Sequence, residues 1–268
     1  MSSQRFLALG LRFYVVLFFV YLFLPLLIMA AATFNDSRFP TVTPWDGTTL
    51  RWFGELAADR GMWQALGNSL IVATGVLLIA VPIGVATALF LNTVSSRAKP
   101  FLYALILSPL LTPGVIIGIS TLIFWRQLGV SGGIFLTVLG QATFIAAYVM
   151  LMVTARLQRF DRTLERAALD LGASQWQMFR RILLPYLKPA LYSAAVIAFL
   201  QSFENYNTTL FVVGYDTTLT VYIASQVRTG LTPAVNALGL ILILITVLLA
   251  VVYELKRRRE AAELVKGV

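Results

Sequence analysis

The chain has 268 residues, of which 59% are apolar and only 12% charged, with a formal net charge of +9. Soluble domains carry about 25% charged residues, so water is not the main solvent here. The basic excess sits between apolar runs rather than in a nucleic-acid module, which excludes nucleic acid as the expected partner, and with no Cys and no His no metal site is expected.

The apolar runs are continuous and rich in Leu, Ile, Val and Ala, long enough for the roughly 17–25 residues a transmembrane helix needs. A membrane β-barrel would instead show segments of about ten residues with alternating polarity. The expected fold class is therefore an all-α membrane protein with six transmembrane helices, near 13–32, 66–91, 101–125, 132–155, 189–212 and 235–254. The first span follows Arg5 and Arg12 and lacks a small-residue cleavage site, so it reads as uncleaved. Together with a polar segment over 33–65 it forms a first region, 1–64. That segment carries Trp45, Trp52 and Trp63, amphipathic rings suited to the membrane–water boundary or to contact with an external partner. Residues 65–255 form a core of five further spans, and 256–268 a basic tail.

In the third span Pro109, Pro113 and Gly114 interrupt apolar sequence, which predicts a kinked or broken helix. Such a break lines a pathway or hinge, or serves packing alone. With an even number of spans both termini lie on one side. Sixteen of the 21 Lys and Arg residues fall at the termini and in the 92–100 and 156–188 loops, so these are expected to be cytoplasmic.

The 156–188 loop has the signals of a helix–turn–helix elbow. Asp161 or Thr163 can cap a short helix that stops at Gly172, and Ser174 can cap a second that runs to Ile182 and breaks before Pro185. Leu164, Ala167, Ala168 and Leu171 follow helical spacing and give a narrow apolar face, suited either to docking another surface or to packing beneath the spans.

Here the sequence resembles a family. Ala167-Ala168, then Gly172, then Ile182, Leu184 and Pro185 stand at the spacing of the EAA loop of binding-protein-dependent ABC importer permeases. The motif's leading acid falls at Arg166, with Glu165 one position earlier. Within the family the chain looks most like the second permease subunit of spermidine/putrescine-type systems, on the strength of Leu169-Asp170-Leu171-Gly172-Ala173 and of Thr232-Pro233-Ala234-Val235-Asn236-Ala237. The resemblance implies a type I ABC importer transmembrane domain in a bacterial inner membrane, whose elbow docks on an ATPase. It implies as partners a sister permease, two ATPase copies holding ATP and Mg, and an extracytoplasmic solute-binding protein. No cofactor is expected on this chain.

The fifth span holds the single intramembrane acid of this reading, Glu204. A carboxylate there costs at least about 2.5 kcal/mol, so it should face a wet cavity or a partner. On a continuous helix Gln201, Glu204, Asn205 and Thr208 form one polar stripe, expected either to line the path of a cationic solute or to glue helices together. A phosphate-binding G-x-x-x-x-G-K-[ST] loop is absent, so hydrolysis is expected from a partner and the chain itself is not an enzyme. The alternatives are a permease for another small solute, such as an opine, an amino acid derivative or iron, or a secondary transporter working alone.

Overall fold

The computed structural model describes residues 2–230 and 232–266. The side chains of 2–6, 249, 250, 253 and 256–266 lie outside the described residues, and with them Arg5 and the charges of the basic tail. Helices account for nearly all of the regular structure, and the chain divides into two compact units, 1–60 with 223–268, and 61–222.

The first unit contains α1 (Ser2–Thr33), α2 (Arg51–Ala58) and α12 (Pro233–Lys266). α12 packs on both α1 and α2, and it approaches α1 so closely that a Cβ added at Gly239 would stand 3.0 Å from the Met29 sulfur. The 33–50 segment folds around the buried Asn35. Its amide donates to the carbonyls of Thr41 and Pro44, each at 2.9 Å, and its side-chain oxygen accepts from the Asp46 N–H at 2.9 Å. Trp52 does not anchor a membrane boundary as its composition suggested: it is buried and donates its indole N–H to the Asn35 carbonyl at 2.8 Å, while Trp45 and Trp63 remain half exposed. Arg51 lies over the Trp52 ring and pairs with Asp36 at 3.0 Å.

The second unit contains α3 (Arg60–Thr93), α4 (Lys99–Leu111), α5 (Gly114–Gln127), α6 (Ile134–Leu157), α7 (Arg162–Asp170), α8 (Gln175–Met178), α9 (Leu184–Phe203) and α10 (Thr209–Val212); α11 (Leu219–Thr229) bridges the division in sequence. Its core is built on α6, the most buried of the long helices. Val149, Met150 and Val153 of α6 share one buried cluster with Val76, Ala80 and Ala88 of α3 and with Leu187, Ala194 and Ala198 of α9. Small residues set the separation of α3 from α6. A Cβ at Gly84 would stand 2.5 Å from the Val149 Cβ and 2.7 Å from the Ala146 carbonyl oxygen.

Among the described residues four helices are long and apolar enough to cross a membrane: Leu7–Thr33, Arg60–Thr93, Ile134–Leu157 and Gln175–Phe203. α4 and α5, the expected third span, together have the length and apolar character of one further crossing, bent by 99° at Thr112 and Pro113, the break expected from Pro109, Pro113 and Gly114. The apolar part of α12 among the described residues, Pro233–Leu248, is shorter than these crossings.

Two expectations are corrected. The elbow's second helix does not break before Pro185. It passes through a π-helical turn at Phe179–Leu183 and continues into α9, making one rod from Gln175 to Phe203. The wide turn lets the Leu184 N–H bond to the Phe179 carbonyl, and Pro185 follows directly on it at the second position of α9. The fifth span, in turn, is not a continuous helix to residue 212: it stops at Phe203 and resumes only as the short α10.

Candidate functional site

The elbow is shaped by local chemistry. The Asp161 carboxylate caps α7 by accepting from the Thr163 N–H at 2.9 Å, and that hydrogen bond, with the Thr163 hydroxyl, holds its pKa below the usual carboxylate value. α7 ends in a Schellman motif. Gly172 takes φ +83°, its N–H bonds to the Leu169 carbonyl at 2.9 Å, and the Ala173 N–H reaches back to Ala168 at 3.0 Å. Ser174 then opens α8 with a capping box, its hydroxyl accepting from the Gln177 N–H while the Gln177 side chain accepts from the Ser174 N–H.

The apolar face expected on α7 divides. Ala168 turns toward the core, whereas Leu164 and Ala167 are exposed and Leu171 is 89% exposed. Beside them Trp176 is 64% exposed and stacks on Phe179 at 5.6 Å. Arg166 is exposed, Glu165, Ile182 and Leu184 are half-buried, and Pro185 is exposed. So α7 and α8 present Leu164, Leu171 and Trp176 outward from a rigid turn.

The base of the elbow is locked by a pair that the motif did not include. The Arg156 guanidinium lies 4.1 Å from the centre of the Tyr186 ring and donates to the Tyr186 carbonyl at 3.3 Å; the Tyr186 hydroxyl returns a bond to the Arg156 carbonyl at 3.2 Å. Phe160 packs on the same ring at 5.0 Å. The end of α6 and the start of α9 are thereby held together.

The second constellation is the break in the fifth span. Because α9 ends at Phe203, Gln201, Glu204, Asn205 and Thr208 do not form one stripe. Gln201 is half-buried on the last turn of α9, and Glu204 is the exposed residue that closes the helix. Asn205 turns inward: its side-chain oxygen accepts from the N–H groups of Thr208 and Thr209, each at 3.2 Å, and from the Thr209 hydroxyl at 3.1 Å. The freed backbone of the break is thus satisfied by a side chain, as membrane interiors demand.

Gln141 of α6 completes this cluster. It is 1% exposed, donates to the Thr209 hydroxyl at 2.8 Å and accepts a short bond from the Ser202 hydroxyl. A glutamine inside an apolar span is itself a sequence signal of a buried polar contact. Its partners, however, lie more than 60 residues away and no periodicity joins them.

Thr208 is enclosed by glycines of the neighbouring helices. Cβ atoms at Gly114, Gly118 and Gly140 would stand 3.0, 2.7 and 3.4 Å from its Oγ1, carbonyl oxygen and Cγ2 respectively. The break of the third span therefore packs directly on the break of the fifth. Among the described residues the Thr208 hydroxyl, buried there, has no hydrogen-bond partner. A separate cavity of about 510 Å³ between α3, α5 and α6, with Ile79, Phe124, Leu139 and Thr143 in its wall, includes none of the fifth span's polar residues.

Outside the break, the 213–219 segment is tied down at three points. Asp216 accepts from the Ile134 N–H at 3.2 Å, a carboxylate at a helix N-terminus. The Asn68 amide donates to the Thr217 carbonyl at 2.9 Å, and the Ser69 hydroxyl accepts from the Leu219 N–H at 2.8 Å.

Comparison with known proteins places these features in context. The family described as binding-protein-dependent transport system inner membrane component matches residues 80–261. The spermidine/putrescine transport system permease protein PotC of Escherichia coli is 32% identical over 90% of this chain and 90% of its own length. The putrescine transport system permease protein PotI of the same species is 34% identical over 84% of this chain and 82% of its own. In fold, a subunit of a bacterial ABC transporter involved in the import of the acidic polysaccharide alginate superposes with a TM-score of 0.70 at 15% identity, over 96% of this chain and 98% of that one.

Proposed function

This chain belongs to the family of binding-protein-dependent transport system inner membrane components, and from that premise we propose that it is the permease subunit of an ATP-driven importer of a small cationic, polyamine-like solute. The likeness to PotC and PotI supports the solute class. In this reading the termini and the elbow are cytoplasmic, as the distribution of Lys and Arg favours. A sister permease pairs with the chain, two ATPase copies hold ATP and Mg, and an extracytoplasmic binding protein delivers the solute.

The observation that carries the docking role is the outward apolar surface of Leu164, Leu171 and Trp176 on an elbow whose base is locked by Arg156 and Tyr186. Exposed apolar groups on a rigid support suit a partner's groove. Movement of a docked ATPase is carried along the unbroken rod Gln175–Phe203 and ends at the break, where Asn205, Thr208 and Gly114 meet. Glu204, exposed at the end of that rod, offers its carboxylate to an ammonium group of the solute. The whole is a rigid-body lever feeding a pair of broken helices.

The decisive experiment reconstitutes this chain with its sister, the ATPase and the binding protein in vesicles. Polyamine-loaded binding protein should stimulate hydrolysis and uptake, and uptake by this chain without ATPase would overturn the reading. Gly172→Asp should abolish solute-stimulated hydrolysis in an inserted complex; normal stimulation would refute docking through the elbow. Glu204→Gln should weaken uptake of the cation, and an unchanged affinity and rate would remove that carboxylate from the path.

A further inference from the structure

The link between α3 and α4, with the first turn of α7, borders an open surface recess of about 690 Å³. Arg97, Lys99 and Arg162 line it with Asn92, Ser95 and Ser96, and no carboxylate does. Arg162 is fixed there by donating from one guanidinium nitrogen to both the side-chain oxygen and the carbonyl of Asn92, at 2.9 and 3.3 Å. Among the described residues none of the three cations has a carboxylate within ion-pairing distance. Three converging charges with adjacent hydroxyl and amide donors match a phosphate in charge and hydrogen bonding.

The position of the cavity selects the source of that phosphate. It lies between the end of α3 at Thr93 and the start of α4 at Lys99, and the ends of membrane-crossing helices reach the lipid headgroups. Within a few residues of it along α3 and α4, apolar side chains are exposed: Phe90 is 55%, Phe101 69% and Leu105 57% exposed. Phe101 and Leu105 stand four residues apart and share one face of α4. A basic polar recess above an apolar wall fits a molecule with an anionic head and a hydrocarbon tail, whereas a soluble phosphate uses only the recess.

We propose that this cavity binds the headgroup of an anionic phospholipid, its phosphate held by Arg97, Lys99 and Arg162 and its acyl chains lying along Phe101 and Leu105. Arg162 is the first residue of α7. A bound lipid therefore tethers the elbow helix to the membrane surface and makes elbow movement sensitive to lipid charge.

The test uses the assembled complex in nanodiscs of mixed phosphatidylglycerol and phosphatidylcholine, with retained lipid counted by native mass spectrometry. Phosphatidylglycerol should be retained in preference, and retention should fall by about fivefold for each cation removed in Arg162→Gln and in Arg97→Gln/Lys99→Gln. Phe101→Ser should reduce retention as well. Equal retention of both lipids, or retention unaffected by all three variants, overturns the proposal and leaves these residues as topology signals. Displacement of the lipid by millimolar inorganic phosphate, with Phe101→Ser silent, overturns it in favour of a free-anion site. Should Arg162→Gln fail to assemble, Arg97→Gln/Lys99→Gln decides alone, since both side chains are exposed.

Discussion

At the scale of single residues, Thr208 and Gln141 make opposite demands on the same cluster. The Thr208 hydroxyl is buried without a partner among the described residues, so its desolvation is uncompensated. Thr208→Val, close to isosteric, should raise the unfolding midpoint of the detergent-solubilised complex, by on the order of 1 kcal/mol in stability. Gln141→Leu should lower it by about the same amount, since it strips partners from Ser202 and Thr209, and hydrogen bonds in membrane proteins average about 0.6 kcal/mol. Shifts of the same sign in the two variants would contradict this assignment. An orphaned hydroxyl kept at a junction of two broken helices is a feature that stability alone would remove. Transport measured in Thr208→Val therefore reports whether the junction's polarity serves movement.

At the scale of elements, helix separation is set by glycine and alanine rather than by large side chains. α3 meets α6 through Gly75 and Gly84, and an added methyl at Gly84 meets the backbone of Ala146 as well as Val149. Gly84→Ala should force the helices apart and cost about 1–3 kcal/mol, as overpacking does. The thermal stability of the purified subunit checks it, with Gly10→Ala as a control at a position where nothing lies within 4 Å. These contacts were not legible in the sequence: small residues are scattered through every apolar span, and only packing decides which of them meet. Helix existence was legible, because continuous apolar runs and caps at Asp161, Gly172 and Ser174 are local signals. The stop at Phe203 was not. Nothing between 200 and 208 contains proline or glycine, and the break is stabilised by Asn205 accepting from the N–H groups that open a helix four residues later.

At the scale of the whole molecule, the bent third span and the elbow were foreseeable from Pro109, Pro113, Gly114 and the spacing around Gly172, while their mechanical connection was not. Pro185 reads as a helix stop in sequence. In the fold a π-helical turn absorbs it, and what were expected as two helices become one. That rod has a consequence in angular terms. Each residue advances a helix by about 100°, so one residue inserted between Leu184 and Ala194 would swing Trp176 about 100° around the axis relative to the buried Ala194 and Ala198. The core face and the outward face of the elbow would then point in incompatible directions. An Ala inserted after Tyr192 should therefore abolish ATPase binding in a pull-down from membranes, and a four-residue insertion, close to a whole turn, should restore much of it. The length of the rod is thus a setting of phase as much as of reach, and the π-helical turn, which carries one residue more than an α-helical turn would, is part of how that phase is set.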